Sequence, residues 1–348
     1  MSSPKIWYVT GASQGLGVIL VKKLRANGHK VAATSRDAYA LGRAVGVIDK
    51  DRFLPLAVDL ANLDCIDESI QQTLAAFGRI DVVVNNAGYG MTGTLEETAE
   101  QDIRNIFTIN VLATIDVVKS VLPVMRKQRS GRILNIGSVA GFLGSPGWSV
   151  YSATKAAVAA FSEVIAQDVK EFGIRVTVVE PSGFRTGFLS QKSLALTLPG
   201  IEGYEAVRNT QQRYLSSNGR QAGDPNRAAE ILIELTESPE PPMHLFLGSD
   251  AYGRARKKLS DLSEEMEQWK SITIGADFEY RFGSRLPGIS RLVRLFGYQS
   301  RGGCFFRSDC AGCQRIWDQG DCCRTFGFPD GLFDPKIVGA NPSRDRGV

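Results

Sequence analysis

The eight residues "TGASQGLG" at positions 10–17 follow a short apolar run and lead into a helical pattern. Gly11, Gly15 and Gly17 give the spacing G-x-x-x-G-x-G, and glycine permits a tight turn between a strand and a helix. Backbone N–H groups at a helix start are unpaired, and the helix dipole favours negative charge, so such a turn can hold a pyrophosphate. A glycine triad alone is a weak signal, but its position between a first strand and a first helix strengthens it.

Up to about residue 275, short apolar runs alternate with longer helical patterns. Strands are predicted at 5–11, 30–35, 52–60, 80–88, 131–138, 174–183 and 243–249. Helices are predicted at 16–27, 63–77, 100–128, 152–172 and 225–237. Strand cores such as "VVV" are continuously apolar, which is typical of strands covered on both faces. This alternation predicts an α/β fold, a doubly wound parallel sheet of about seven strands with helices on both faces.

Composition excludes some classes of function. The chain has 348 residues and a net charge of +4, and its basic residues are spread over most of its length. Nothing in this balance favours a nucleic acid as a partner. No apolar run reaches the roughly 18 residues of a membrane helix, and the N-terminus enters a strand pattern without a signal-peptide core. We therefore expect no membrane span and a cytoplasmic location.

Two regions depart from the alternating pattern. The interval 184–242 carries no predicted strand, and an insertion there would lie over the carboxyl ends of the strands, where open α/β sheets bind ligands. We expect a substrate lid near 184–220; a helical excursion that only packs is the alternative. Residues 278–348 are rich in Arg, Gly, Cys and Pro without sustained periodicity, so we expect one domain over 1–277 followed by a disordered extension.

Four cysteines of this extension have a spacing that can ligate zinc. They are Cys310, Cys313, Cys322 and Cys323. Adjacent cysteines make an unusual second half-site, however, and no histidine lies nearby. The unstructured extension is the favoured interpretation, and no metal site is predicted.

The stretch "SVYSATKAAV" at 149–158 places a tyrosine and a lysine four positions apart at the start of a helical pattern. Residues i and i+4 share one face of a helix, so Tyr151 and Lys155 should be neighbours. An ammonium close to a phenol favours the phenolate, which predicts that Lys155 lowers the pKa of Tyr151 from about 10 toward neutrality. An exposed polar pair without function is the alternative.

The second predicted strand ends in "ATSRD", which bears on the choice of dinucleotide. Sites that select NAD tend to have an acidic residue here, whereas an arginine accommodates the 2′-phosphate of NADP. Ser35 and Arg36 favour NADP(H) as the cofactor. Asp37, one position later, keeps NAD(H) possible.

Four separated motifs then agree in order and spacing with one family. They are "TGASQGLG" at 10–17, "NNAG" at 85–88, Ser138 in "NIGS", and "YSATK" at 151–155. Over about residues 4–250 the chain resembles the classical short-chain dehydrogenase/reductase family. The resemblance implies a Rossmann-like fold and an oxidoreductase that uses a nicotinamide dinucleotide.

The resemblance also implies roles for individual residues. Tyr151 would donate the proton in carbonyl reduction and accept it in alcohol oxidation. Lys155 would bind the nicotinamide ribose, and Ser138 would hydrogen-bond the substrate oxygen. The backbone of Asn110 would hold a water that links the lysine to solvent.

The cofactor contacts that the resemblance implies come from the ends of several strands. They are Gly11, Ser13, Gly15, Leu16, Gly17, Ser35, Arg36, Asp59, Asn86, Ala87, Gly88, Tyr151, Lys155, Phe184 and Thr186. One position departs from the family pattern, because Ser182 stands where a glycine usually follows Pro181. The backbone path at this point is therefore open.

The predicted pocket lining is apolar and aromatic, which suits a hydrophobic alcohol or ketone of steroid, retinoid or secondary-metabolite type. It comprises Phe142, Leu143, Trp148, Phe188 and Leu189, with Arg185 as a candidate for an anionic group. The leading hypothesis is an NADP(H)-dependent oxidoreductase acting on CH–OH groups. An NAD(H)-dependent alcohol dehydrogenase and a non-catalytic dinucleotide-binding regulatory protein are the alternatives. The resemblance further implies a homodimer or homotetramer, because members of the family commonly pair through the family's fourth and fifth helices.

Overall fold

The structure is a computed structural model that describes residues 4–46, 51–197 and 201–275. The predicted extension at 278–348, with its four clustered cysteines, lies outside the described residues. The boundary near residue 277 therefore stays a prediction.

Nine strands are present in the described part of the chain. They are β1 (Ile6–Val9), β2 (Lys30–Ser35), β3 (Phe53–Ala57), β4 (Val82–Asn85), β5 (Gly90–Thr92), β6 (Gly131–Ile136), β7 (Ile174–Pro181), β8 (Leu194–Leu196) and β9 (His244–Leu247). Seven of them form one sheet in the order β3-β2-β1-β4-β6-β7-β9, and all neighbouring pairs are parallel. These are the seven predicted strands. Because β2 lies on one side of β1 and β4 lies on the other, the strand order reverses at this point, and a crevice opens beyond the carboxyl ends of β1 and β4.

Helices cover both faces of this sheet, as predicted. They are α1 (Gly15–Ala26), α2 (Ala38–Val45), α3 (Leu63–Phe77), α4 (Glu100–Phe107), α5 (Ala113–Gln128), α6 (Val139–Phe142), α7 (Ser149–Asp168), α8 (Glu205–Ser216), α9 (Pro225–Leu235), α10 (Ser249–Gln268) and α11 (Lys270–Gly275). One core joins the sheet to α1, α2 and α9, and a second core joins its other face to α3, α5 and α7. The strands are therefore buried between two helical layers.

Local signals fix where several of these helices begin. Asp224 precedes α9, and its Oδ1 accepts a hydrogen bond from the backbone N–H of Asn226 at 2.9 Å. Pro225 occupies the first helical position. Proline has no backbone N–H, and none is needed there, because an N–H at this position has no partner within the helix. The pattern "DPN" in the sequence therefore gives the start of α9 correctly.

The helix predicted at 100–128 is interrupted in its middle. A π-helical turn at Thr108–Leu112 separates α4 from α5, and Asn110 lies inside it. Single π-helical turns inside helices occur frequently at functional sites. By length and composition alone, Glu100–Gln128 would also pass as a membrane span, but its buried residues pack in the core, as core helices of soluble proteins do.

The expectation that 184–242 contains no strand is wrong at one place. β8 pairs in parallel with β5 and forms a separate two-stranded sheet. A strand of three residues is too short to show a period of two in the sequence. This pairing ties the predicted lid segment to the chain that follows β4.

Candidate active site

A cavity of about 1390 Å³ opens at the carboxyl ends of the parallel strands. Its walls come from the segments that follow β1, β2, β3, β4, β6 and β7, together with α7 and the predicted lid. All the predicted catalytic and cofactor-binding residues line it except Gly17 and Asn110. The structure therefore brings together motifs that are far apart in the sequence.

The glycine turn forms a cradle that side chains would fill. Gly11 has a φ of +62° and Gly15 a φ of +57°, in the left-handed region that glycine adopts readily. A Cβ on Gly11 would lie 2.7 Å from the Cα of Ala87, and one on Gly17 would lie 2.6 Å from Nδ2 of Asn86. Gly17 therefore acts by permitting close packing and not by lining the cavity.

The start of α1 is suited to an anion. Gln14 precedes the helix but makes no side-chain cap, and the first turn carries no acidic residue. The unpaired N–H groups of this turn can therefore face a diphosphate. Together with the cradle, this arrangement fits a dinucleotide.

Thr10, which the sequence reasoning missed, joins the two segments that flank the crevice. Its Oγ1 accepts hydrogen bonds from the backbone N–H groups of Asn86 and Ala87, both at 3.0 Å. Asn86 Nδ2 in turn donates to the carbonyl oxygens of Thr10 and Gly11, both at 3.0 Å. Side chains and backbone thus hold the ends of β1 and β4 in one fixed relation.

At the end of β2, Ser35 and Arg36 line the cavity, whereas Asp37 does not. Asp37 Oδ1 accepts a hydrogen bond from the backbone N–H of Ala40 at 2.9 Å and so caps α2. Ser35 Oγ donates to the carbonyl oxygen of Asp37 at 2.7 Å. The acidic side chain at this position is therefore engaged by the helix, and the cation faces the cavity.

Tyr151 and Lys155 lie on the first turns of α7, and each is 5% exposed. Lys155 Nζ is 5.8 Å from the centre of the Tyr151 ring and donates to the carbonyl oxygen of Ile136 at 2.8 Å. Ser138 lies two residues after the end of β6, and its Oγ accepts a hydrogen bond from the backbone N–H of Ala140 at 3.1 Å. The three side chains meet in one wall of the cavity.

The predicted lowering of the Tyr151 pKa is wrong for this structure. Burial raises the pKa of Tyr151 to about 12, and a hydrogen bond with Ser138 acts in the opposite direction. Burial also lowers the pKa of Lys155 to about 8. Loss of water penalises the phenolate and the ammonium alike, and spacing in the sequence does not show burial. Tyr151 is thus a protonated phenol at neutral pH.

Buried polar side chains fix α7 on the sheet. Asn85 Nδ2 donates to Asn135 Oδ1, and Asn135 Nδ2 donates to Ser162 Oγ, both at 2.8 Å. A Cβ on Gly141 would lie 2.6 Å from the carbonyl carbon of Lys155, so α6 also packs closely on α7. These contacts set the position of the helix that carries Tyr151 and Lys155.

Asn110 lies behind the cavity wall. Its Oδ1 accepts from the backbone N–H of Tyr89 at 3.0 Å, and its Nδ2 donates to the Tyr89 carbonyl oxygen at 3.0 Å and to Thr154 Oγ1 at 3.2 Å. A Cβ on Gly88 would lie 3.0 Å from Asn110 Oδ1 and 3.5 Å from Lys155 Nζ. The Asn110 side chain thus positions the chain after β4 and α7, while a role for its backbone in holding water stays a prediction.

An aromatic cluster surrounds Tyr151 on the substrate side. The ring of Trp148 is 5.4 Å from that of Tyr151, and the ring of Phe188 is 5.8 Å from it. Trp148 also contacts Tyr214 of α8 at 4.9 Å. Trp148, Phe188 and Leu189 line the cavity as expected, whereas Tyr214 was missed because it lies in a mixed polar stretch.

Comparison with known families decides the assignment. The family model described as short chain dehydrogenase matches residues 5–196. This chain belongs to the short-chain dehydrogenase family. The identification made from the four sequence motifs is thereby confirmed.

Relatives and a solved structure agree with this assignment of a short-chain dehydrogenase. The chain is 36% identical over 273 residues to an oxidoreductase of Botryotinia fuckeliana, which covers 78% of this chain and 99% of that protein. It is 32% identical over 266 residues to a 3-ketodihydrosphingosine reductase of Bacteroides thetaiotaomicron, with 76% and 96% covered. A short-chain dehydrogenase structure from Streptomyces avermitilis matches with a TM-score of 0.74 and 36% identity, over 79% of this chain and 100% of the other. The chain is therefore an oxidoreductase of this family.

Two expected pocket residues of this dehydrogenase lie elsewhere. The ring of Phe142 is 5.2 Å from that of Phe246 and 5.1 Å from Lys258 Nζ. The carbonyl oxygen of Leu143 accepts a hydrogen bond from Arg254 of α10. Because α10 was not predicted, the sequence did not show that it covers this segment.

Arg185 does not line the cavity either. Its Nη1 donates to the carbonyl oxygens of Gln221 at 3.0 Å and Ala222 at 3.1 Å. The guanidinium thus holds the backbone that leads into α9. It is not a site for an anionic substrate group in this structure.

Ser182, which stands where the family usually has a glycine, is accommodated by Gly248 at the end of β9. The Ser182 N–H donates to the carbonyl oxygen of Leu247 at 3.1 Å, so the chain continues along β9. A Cβ on Gly248 would lie 2.8 Å from Ser182 Oγ. The serine therefore fits, and Phe184 and Thr186 still line the cavity of this dehydrogenase.

Proposed function

We propose that this protein is an NADP(H)-dependent oxidoreductase that interconverts a secondary alcohol and a ketone or aldehyde on a hydrophobic small molecule. The observation that carries the proposal is the meeting of Tyr151, Ser138 and Lys155 in one wall of a cavity that begins at the glycine turn. The geometry holds a proton donor and a cofactor cradle within the same space. This favours turnover over a purely regulatory role.

The side chains around Tyr151 are suited to carbonyl reduction. When bound, the nicotinamide supplies or accepts the hydride. Tyr151 Oη holds a proton at neutral pH, because burial raises its pKa to about 12, and it can give this proton to a carbonyl oxygen that gains negative charge. Ser138 Oγ can donate a hydrogen bond to the same oxygen. The ammonium of Lys155 then lies close enough to stabilise the phenolate that remains.

The choice of NADP(H) rests on the end of β2. Arg36 lines the cavity there, while the Asp37 carboxylate caps α2. A guanidinium can bind a 2′-phosphate through paired N–H donors. Arg36→Ala should raise the KM for NADPH about tenfold and leave the KM for NADH unchanged. Equal changes in the KM for NADPH and the KM for NADH would favour the alternative of an NAD(H)-dependent enzyme.

The aromatic cluster supports a hydrophobic substrate. Trp148, Phe188, Leu189 and Leu194 face the cavity beside Tyr151. Apolar walls with a few polar groups are typical of sites for small hydrophobic ligands. The relative from Bacteroides thetaiotaomicron is named as a reductase of 3-ketodihydrosphingosine, which is itself a ketone.

Turnover by the full chain tests the proposal. Oxidation of NADPH and of NADH is followed against a panel of hydrophobic ketones. Tyr151→Phe should lower kcat by about 10²- to 10⁴-fold, because the placed acid is lost. The matched control is Tyr204→Phe, since Tyr204 lies outside the cavity lining and bonds the exposed Glu96. Turnover that survives in Tyr151→Phe would contradict the mechanism, and cofactor binding without any turnover would favour the regulatory alternative.

The oligomeric state belongs to the same proposal. Leu112 is 51% exposed and Val164 on α7 is 59% exposed, so the outer faces of these two helical segments carry apolar side chains. Isologous pairing of such faces would give a homodimer or homotetramer. Val164→Lys should shift the mass measured by light scattering toward the monomer. An unchanged mass would place the interface elsewhere.

A further inference from the structure

Tyr214 brings a second phenol to the cavity that holds Tyr151. It lies on α8, and its ring contacts Trp148 edge to face at 4.9 Å. Trp148 contacts Tyr151 in the same manner at 5.4 Å. Both phenols therefore flank one indole, and all three side chains line the cavity.

The Tyr214 hydroxyl has an incomplete hydrogen-bond shell. It is 3.4 Å from Ser145 Oγ, and this is its one hydrogen-bond contact in the described part of the chain. Hydroxyl pairs usually approach to about 2.5–3.0 Å. Each hydroxyl can donate once and accept twice, so this long contact leaves capacity on both. Since both residues line the cavity, an oxygen atom of a ligand can bond to the pair.

The inward face of α8 holds Tyr214 in a defined place. Arg208 pairs with Glu97, whose side chain is only 4% exposed. Gln211 Nε2, one turn further, donates to the carbonyl oxygen of Thr92 at 3.1 Å. Arg208, Gln211 and Tyr214 follow one another at a spacing of three residues and so share one side of the helix. A contact that selects substrates needs this kind of rigid support.

The surrounding wall makes the two hydroxyls selective. Several of their neighbours in the cavity are aromatic or aliphatic, namely Trp148, Phe188 and Leu189, while the guanidinium of Arg213 lies 5.6 Å from the centre of the Tyr214 ring. A purely apolar ligand would strip water from Tyr214 and Ser145 without replacing its hydrogen bonds, which is unfavourable. A site built to bond an oxygen discriminates strongly against an analogue that lacks it.

We infer that Tyr214 and Ser145 together bind a second hydroxyl or carbonyl oxygen of the substrate, in the part of the cavity beside Trp148. The substrate class is therefore a hydrophobic ketone or alcohol that carries a further oxygen function. This inference rests on the proposed function and deepens it, because it concerns the same cavity.

Matched substrate pairs test this inference with the full-length protein. Each pair shares its ketone and differs by one hydroxyl: 5α-androstan-17-one with its 3β-hydroxy derivative, and dodecan-2-one with 12-hydroxydodecan-2-one. In the better pair, kcat/KM should favour the hydroxylated member about tenfold, the size of one well-made hydrogen bond. Tyr214→Phe should bring this ratio close to one, and Ser145→Ala should reduce it.

The matched control is again Tyr204→Phe, which removes a phenol hydroxyl just before α8 and outside the cavity lining. It should keep the wild-type ratio. A ratio unchanged in Tyr214→Phe, with turnover still lost in Tyr151→Phe, would overturn the inference and leave the proposed function standing. Absence of turnover with all four ketones would overturn the proposed function, and this inference with it.

Discussion

The two ends of the cavity are built in different ways. At the cofactor end, the walls are short segments that directly follow β1, β2 and β4, and their shape depends on glycines and on side chains that bond neighbouring backbone. At the substrate end, the walls are side chains from segments far apart in the chain, such as Trp148, Leu189 and Tyr214. The first end is thus determined by local chemistry, and the second by packing of distant parts. A single added methyl group should damage the first, whereas the second should lose function in smaller steps.

The largest effect is expected for Gly11→Ala. Alanine at a φ of +62° costs about 1–2 kcal/mol. Its Cβ would also meet the Ala87 backbone at 2.7 Å, and such overpacking costs about 1–3 kcal/mol more. We therefore expect the free energy of unfolding to fall by about 2–5 kcal/mol, measured by denaturant titration. NADPH affinity should fall as well, because the turn must shift.

A wild-type NADPH affinity in Gly11→Ala would contradict this view of the cofactor end. It would mean that the turn can move away from Ala87 without losing its function. The same titration with bound NADPH distinguishes the two effects, because ligand binding adds to stability only where the site is intact.

The second prediction concerns Lys155 and pH. Its pKa is lowered by burial to about 8 in the folded chain, below the usual value near 10.5. Between these values the unfolded chain binds more protons, so the free energy of unfolding rises with pH. Burial of the Lys155 ammonium lowers the free energy of unfolding by its full amount below pH 8. This loss of stability decreases as the pH rises from 8 toward 10.5. Relative to Lys155→Met, the wild type should gain about 2 kcal/mol between pH 8 and pH 10.

Chemical denaturation of both proteins without cofactor, across this pH range, measures the effect. Subtracting the free energy of unfolding of Lys155→Met from that of the wild type cancels the contributions of titrating groups that both proteins share. Tyr151 is one of these groups, and burial raises its pKa to about 12. A constant difference between the two proteins would show that the lysine is hydrated in the folded state. Burial would then no longer explain a lowered pKa for Lys155.

The contrast between local construction and distant packing also explains which features could be predicted from the sequence. β2 was predicted at 30–35 and is observed at Lys30–Ser35, because its four buried inner residues begin with the apolar run "VAA" and polar, partly buried residues mark its two ends. The glycine turn and the pairing of Tyr151 with Lys155 were predicted because fixed spacing along the chain brings them to a strand end or to one helix face, whereas Ser138 was predicted through the family resemblance. Tyr214 and α10 carry no such signal, since their positions depend on what the lid and β9 pack against. The pKa of Tyr151 was predicted in the wrong direction because burial is a property of the whole fold.

The third prediction tests the substrate end through the lid. The side chain of Glu97 is buried and accepts hydrogen bonds from Thr94 Oγ1 at 2.7 Å and from the backbone N–H of Ile201 at 3.0 Å, besides pairing with Arg208. Glu97→Gln keeps the size of the side chain but removes the charge opposite Arg208. The contact that holds α8 in place is thereby weakened. We expect the KM for ketones to rise about tenfold, equal to about 1.4 kcal/mol, with the Kd of NADPH unchanged.

Glu96→Gln is the matched control for this variant. Glu96 is exposed and bonds Tyr204 at the surface, so its substitution should change neither constant. A rise in the Kd of NADPH in Glu97→Gln would show that the two ends of the cavity are coupled. The contrast between local and distant construction would then fail.

The smallest effect is expected at a glycine of a different kind. Gly253 lies in the interior of α10, and a Cβ there would meet nothing within 4 Å. Glycine inside a helix is less stable than alanine by about 0.5–1 kcal/mol, so Gly253→Ala should raise the free energy of unfolding by that amount. Comparison with Gly11→Ala under the same conditions separates the cost of the added methyl group from the cost of its position. A loss of stability instead would mean that this face of α10 is covered in solution, because only a close neighbour could make a methyl group unfavourable there.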